Sequence, residues 1–174
     1  FDIIESMGVL HHMDEPMDGW RILTDLLKPS GLMKIGLYSE LARQHIVKIR
    51  EEISQLGLKA NAQDIRSFRN RLVNSDKDHH RQMIHSSDFY SFSTLRDLLF
   101  HVQEHRFTLL QIKECLGDLG LKFLGIEDDE IVRDFKLKSG DKNTLYELDK
   151  WRLYEEANPT AFLGMYQFWC QKAD

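Results

Sequence analysis

The first forty residues alternate short apolar runs with an amphipathic stretch. Residues 1–6 (FDIIES) and 32–38 (LMKIGLY) have the composition of strands that helices cover on both faces. One face of the stretch between them is apolar at helical spacing, through Trp20, Leu23 and Leu27. Residues 14–16 (Asp-Glu-Pro) suit a helix start, with an acidic residue able to cap and a proline in the first turn. This pattern predicts two parallel strands joined by a right-handed helical crossover.

The rest of the pattern predicts five more helices and two more strands. The predicted helices are 40–56, one capped by Asn61, one capped by Ser93, 108–119 with a Thr108–Gln111 capping box, and 144–157 ending at Asn158-Pro159. The predicted strands are 121–127 and 162–171. Residues 74–87 are polar without a clear period and predict a loop, and 128–143 predict a turn at 139–141.

Composition excludes several classes of protein. Hydrophobic residues at 42% and charged residues at 29% are ordinary for one globular domain. A net charge of −5 argues against binding bulk nucleic acid through a broad basic face. No apolar run is long enough for a membrane span. The two cysteines, Cys115 and Cys170, are expected to be free thiols, which favours a reducing cytoplasm.

Two segments resemble a known family. The opening series, FDIIESMGVLHHMDEP and then ILTDLLKPSGLMKIGLYS, resembles the fourth strand, following helix and fifth strand of class I S-adenosylmethionine-dependent methyltransferases. That family usually has L-K-P-G-G before the fifth strand, and this chain has Ser30 at the first glycine of the pair. Residues 85–172 resemble the tail of a bacterial subgroup that is often attached to tetratricopeptide repeats.

The resemblance implies an α/β protein, the C-terminal half of a Rossmann-like methyltransferase fold. It would have a mixed sheet of about four strands, with the last strand antiparallel between the second and third. Residues 1–174 would be a single partial methyltransferase domain, with a large helical insertion at 40–107 that serves as a substrate lid. None of the ten glycines forms a G-x-G pair, so the Gly-rich cofactor-binding half is expected to lie elsewhere in a longer bacterial protein. We therefore expect an incomplete S-adenosylmethionine site and a truncated domain that is inactive alone.

Candidate cofactor and catalytic residues follow the first strand. Ligands of open α/β sheets bind beyond the carboxyl ends of the strands, and the resemblance places the methyl donor against this loop. The expected cofactor-binding residues are Ser6, Met7, Gly8 and Leu10. His11 or His12 could be a general base for the methyl acceptor, and Tyr38 at the tip of the second strand would face the same cleft. The alternative is that the histidines pack and cap the helix.

Candidate substrate-binding residues come from three further places, all within the predicted insertion. They are Arg43 near its start, Asp88 and Tyr90 further along, and His101, Glu104 and His105 in the segment HVQEH. Arg43 could pair with an anionic group or simply be solvated. The HxxEH spacing also matches the inverted zincin pattern, but a third ligand is not evident and no metal is predicted. His79, His80 and His85 are expected to be loop histidines.

Three hypotheses for function remain open. The preferred one is the substrate-side part of an S-adenosylmethionine-dependent methyltransferase with an unknown methyl acceptor. The second is a noncatalytic α/β interaction module derived from that fold, and the third is a zinc hydrolase using HxxEH. One edge of the first predicted strand would have no neighbouring strand. This edge is expected to promote self-association, because an unpaired strand edge attracts a partner.

Overall fold

The computed structural model describes residues 1–100, 103–139 and 142–173. These residues divide into two compact units. The sheet unit comprises residues 1–42 together with the described residues from 103 onward, and the helical unit comprises residues 43–100. The role of the helical unit as a lid stays a prediction.

The described residues form eight α-helices and four strands. In chain order these are β1 (Ile3–Met7), α1 (Pro16–Leu26), β2 (Leu32–Leu37), α2 (Gln44–Gln55), α3 (Ala62–Val73), α4 (Asp78–Ile84), α5 (Phe92–Phe100), α6 (Leu109–Asp118), β3 (Leu121–Ile126), α7 (Asp129–Ser139), α8 (Leu148–Ala157) and β4 (Tyr166–Lys172). None of the helices described has the length and apolar character needed to cross a membrane.

The four strands form one mixed sheet in the order β1-β2-β4-β3. Strands β1 and β2 are parallel neighbours, with Ile3 opposite Leu32 and Met7 opposite Gly36. Strand β4 runs antiparallel to both β2 and β3. The predicted adjacency of the first two strands is confirmed, and so is the insertion of the last strand between the second and third.

The core of the sheet unit lies on one face of the sheet. Its fully buried strand residues are Met33, Ile35, Leu37, Tyr166, Phe168 and Cys170. The prediction that β1 is buried on both faces is wrong for the described chain: Ile3 is 56% exposed and Glu5 is exposed. Ile3 and Glu5 lie opposite Leu32 and Lys34, on the sheet face away from the buried Met33 and Ile35, so they meet solvent. Cys115 and Cys170 are free thiols, as expected.

The helical unit packs α2, α3, α4 and α5 around an apolar core of its own. That core contains Ile46, Ile49, Ile53, Ile65, Phe68, Leu72, Met83, Phe89, Leu95 and Leu99. The prediction that Asn61 caps a helix is confirmed, because its side-chain oxygen accepts hydrogen bonds from the N–H groups of Gln63 and Asp64.

Several predicted element boundaries are wrong. The predicted loop 74–87 contains α4, a seven-residue helix whose inward side chains, His80 and Met83, are buried. Helix α5 begins before Ser93, and the Ser91 hydroxyl accepts from the Thr94 N–H instead. Residues 128–143 include helix α7, and the predicted turn at 139–141 falls partly outside the described residues. Helix α8 and strand β4 each begin four residues later than predicted.

Two smaller features concern helix starts. Helix α1 begins at Pro16, within the predicted start at 14–16, but Glu15 holds the N-cap position without a capping side-chain hydrogen bond. The Thr108–Gln111 capping box of α6 is confirmed in both directions.

Candidate functional site

The loop after β1 starts at the carboxyl end of a parallel strand. Gly8 has φ +70°, a left-handed conformation that favours glycine, although a Cβ there would meet nothing within 4 Å. A 3-10 turn, Leu10–His12, follows. Ser6, Leu10 and His11 are buried, whereas His12 is exposed. The loop therefore has a buried inner side and one imidazole that solvent reaches.

Three aromatic rings meet at the ends of β1 and β2. The His11 imidazole stacks on the Tyr38 ring, with 3.8 Å between centroids and 29° between planes. The His12 ring lies edge-on to His11 at 4.4 Å and to Tyr38 at 5.9 Å. The predicted meeting of these three residues is thus observed, and the buried His11 is the middle ring of the group.

A segment far along the chain braces this ring cluster through its backbone. The N–H of His105 donates to the carbonyl of His11 at 2.8 Å, and that of Phe107 donates to the carbonyl of Tyr38 at 2.9 Å. Nδ1 of His12 lies 3.2 Å from the carbonyl oxygen of Gln103. Residues 103–107 therefore fix the position of both histidines and of the tip of β2, a role that the sequence pattern did not indicate.

Charged side chains lie in and beside residues 103–107. Arg106 donates from Nε to Glu40 at 2.9 Å, and its guanidinium also lies 3.9 Å from a Glu104 carboxylate oxygen. The Glu104 side chain is only 3% exposed. Gln103 donates from its amide to Asp14. The mouth of the loop thus carries acidic groups that contact Arg106 and the Gln103 amide.

A buried hydrogen-bond cluster beside Tyr38 was missed by sequence reasoning. The Ser39 hydroxyl donates to Glu155 at 2.6 Å and accepts from the Ala42 N–H at 2.9 Å. The Tyr166 hydroxyl lies 2.7 Å from both Glu155 oxygens. Burial raises the pKa of Glu155, although the Ser39 and Tyr166 hydrogen bonds oppose that shift. No local motif marks this cluster, because Glu155 lies 116 residues from Ser39 and 11 residues from Tyr166.

The structure places the predicted site residues in two groups. Those in the sheet unit are Ser6, Met7, Gly8, Leu10, His11, His12, Tyr38, Glu104 and His105. Those in the helical unit are Arg43, Asp88 and Tyr90. His101 lies outside the described residues, so the HxxEH zinc hypothesis stays a prediction.

The residues predicted for the insertion have contrasting environments. Arg43 is at the N-cap of α2 rather than one turn inside it, and it is buried rather than solvated. Asp88 lies in a short 3-10 turn, Ser87–Phe89, and Tyr90 is 70% exposed. Their substrate-binding roles stay predictions.

Comparison with known proteins gives relatives that are longer than this chain. No family model matches. An uncharacterized protein of Synechococcus sp. is 27% identical over 165 residues, which are 88% of this chain and 39% of that protein. Two structures of PKMT2 from Rickettsia typhi, one of them in complex with AdoHcy, superpose with TM-scores of 0.62 and 0.63 at 14% identity. Each superposition covers 98% of this chain and 35% of PKMT2.

The fold prediction is confirmed. The described residues form an α/β structure with a mixed four-stranded sheet, and its structural neighbours are methyltransferases, consistent with part of a Rossmann-like fold. The chain spans about a third of the length of those neighbours.

Proposed function

We propose that this chain is the C-terminal, substrate-side part of an S-adenosylmethionine-dependent methyltransferase. The observation that carries the proposal is the loop of residues 6–12, which leaves the carboxyl end of β1 beside the parallel strand β2. Ligands of open α/β sheets bind at this edge. Support also comes from PKMT2, a longer protein of similar fold that has been solved with AdoHcy.

The inner side of the loop is the proposed contact for the methyl donor. Ser6, Met7, Gly8 and Leu10 would lie against the cofactor, with Gly8 allowing a turn that other residues adopt only with strain. AdoHcy is what remains of the donor once its methyl group has left. The donor site would be completed by chain outside these residues, which is why we expect only weak binding by this chain alone.

The ring cluster is the proposed acceptor side. In methyl transfer the acceptor's lone pair attacks the methyl carbon as the carbon–sulfur bond breaks, and the sulfonium becomes a neutral thioether. An acceptor that carries a proton must also lose it, and a positioned base accelerates that step. His12 is exposed, so a methyl acceptor can reach its imidazole, whereas the buried His11 and its stacking partner Tyr38 would hold His12 in place.

The free edge of β1 fits the same proposal. β1 has one strand neighbour among the described residues, so its other edge is open. A further strand of the longer protein would pair with this edge. In preparations of the chain alone, we expect the edge to promote self-association.

Binding of AdoHcy to the longer protein tests the proposal. Isothermal titration should give micromolar binding by the longer protein and weak or no binding by this chain. Gly8→Ala in the longer protein should weaken AdoHcy binding about tenfold, because it strains the loop that contacts the ligand. Gly57→Ala is the matched control: Gly57 has φ +63° and open space around it, but it lies in the helical unit.

Two results would contradict the proposal. One is no AdoHcy binding by the longer protein, which would instead support the noncatalytic interaction module. The other is equal weakening by the Gly8 and Gly57 substitutions, which would mean that the loop has no particular role in binding.

A further inference from the structure

A carboxylate and two imidazoles converge inside the helical unit. Glu52 extends from α2, and the consecutive residues His79 and His80 extend from the first turn of α4. Nε2 of His79 lies 2.8 Å from one Glu52 oxygen, and Nε2 of His80 lies 3.1 Å from the other. One potential ligand atom from each of the three residues lies within 4.8 Å of the other two.

This convergence is unusual for neighbouring residues of a helix. Consecutive side chains point about 100° apart around a helix axis, yet here both rings turn the same nitrogen toward one carboxylate. The two rings meet edge-on, with centroids 4.5 Å apart. The sequence-based expectation of loop histidines is therefore wrong, because α4 holds both against α2.

Packing fixes this geometry in advance of any ligand. The His80 side chain is 1% exposed, and its ring lies edge-on to Phe68 with 6.3 Å between centroids. Nδ1 of His80 has no hydrogen-bond partner among the described residues, so the ring is oriented by packing and by Nε2 facing Glu52. Glu52 and His79 are each less than one fifth exposed.

A metal ion requires neutral imidazoles and an ionised carboxylate. Each Nε2 that faces Glu52 would therefore give up its hydrogen when the ion binds.

We propose that Glu52, His79 and His80 form a binding site for a divalent transition-metal ion, with Zn²⁺ as the preferred occupant. Two imidazoles and one carboxylate are a ligand set typical of zinc, which would leave a fourth position for water. The set is contained in the helical unit, whereas the ring cluster is in the sheet unit.

Lys77 is the competitor of the proposed ion. Its ammonium lies 2.7 Å from the Glu52 oxygen that His79 also contacts, and so supplies positive charge where the ion would. The Lys77 side chain is 50% exposed and can move into solvent when an ion binds. Removing its charge should therefore strengthen metal binding, since the ion no longer displaces a cation from Glu52.

The experiment measures metal binding by the whole chain after dialysis against a chelator. Zn²⁺ is titrated in competition with a chromophoric chelator, and Co²⁺ is added separately to report four-coordinate geometry by its visible absorption. We expect one equivalent of Zn²⁺ in the wild type, at least about tenfold weaker binding in His79→Gln, and tighter binding in Lys77→Met. His85→Gln is the matched control, because His85 is an exposed histidine at the end of α4.

The variants keep the test independent of folding. His79 and Lys77 are partly exposed, so their substitution should leave the helical circular dichroism of the wild type unchanged. The proposal is overturned if the wild type binds less than about a tenth of an equivalent of Zn²⁺. It is equally overturned if His79→Gln binds as tightly as His85→Gln, or if Lys77→Met weakens binding.

Discussion

The imidazole of His11 lies nearly flat against the ring of Tyr38, 3.8 Å between centroids, and joins the loop after β1 to the end of β2. Parallel strands are joined by a long crossover rather than a tight turn, so no turn links their carboxyl ends directly. The stack provides a contact between them at the proposed methyl-transfer site. It also keeps a histidine that is fully buried in a defined orientation.

Replacing Tyr38 tests this stack. Tyr38→Ala should lower the free energy of unfolding by about 2–4 kcal/mol, because it removes a ring and its aromatic partner contact. Tyr38→Phe keeps the ring and should cost less than about 1 kcal/mol. Urea unfolding measures the free energy of unfolding of both variants. Equal losses of that free energy in the two variants would show that the hydroxyl group, not the stack, stabilises the site.

The backbone hydrogen bonds from residues 103–107 to the ring cluster give a second prediction. His105→Pro removes the N–H that donates to the His11 carbonyl, and an unsatisfied buried carbonyl should cost about 1–3 kcal/mol. His105→Ala retains that N–H and should cost less than half as much. The comparison is made by urea unfolding, and a larger loss in the alanine variant would mean that the His105 side chain is the stabilising group.

Glu155 should make stability depend on pH. Because burial raises its pKa above the ordinary value of 4.5, the folded protein holds this proton more tightly than the unfolded chain. The resulting stabilisation is complete below about pH 4.5 and is lost as the pH rises through the folded-state pKa. The groups nearest the carboxylate are Ser39 and Tyr166, which donate to it, and Glu156, whose charge adds to the upward shift.

Two variants isolate that contribution. Glu155→Gln cannot titrate, so its free energy of unfolding should fall less than that of the wild type as the pH rises from 4.5 to neutrality. Glu156→Gln, an exposed neighbour on α8 whose charge only adds to the upward shift, should reduce the slope less than Glu155→Gln does. Urea unfolding at a series of pH values gives the slopes, and parallel curves for the wild type and Glu155→Gln would contradict the assignment.

Local patterns predicted the parts of the fold that local contacts build. The β1–α1–β2 series followed from apolar runs and helical spacing, and the Asn61 cap and Thr108–Gln111 box join groups only two or three residues apart. Helix α4 was missed because it is only seven residues long and its buried side chains, His80 and Met83, contact other helices. A helix of that length depends on tertiary packing more than on its own sequence.

The site was predictable only where it follows a strand. His11, His12 and Tyr38 could be located because each stands at or just after a strand's carboxyl end. The Ser39–Glu155 hydrogen bond spans 116 residues, and the Glu52–His79 contact spans 27. Neither has a fixed spacing in the sequence, so only the folded chain brings those partners together.

Hydrogen exchange of the longer protein, with and without AdoHcy, tests the proposed methyl-donor site most directly. The account predicts that AdoHcy slows exchange at the backbone amides of residues 7–12 and leaves those of helix α3 unchanged. Unchanged exchange at residues 7–12 in a protein saturated with AdoHcy would contradict it.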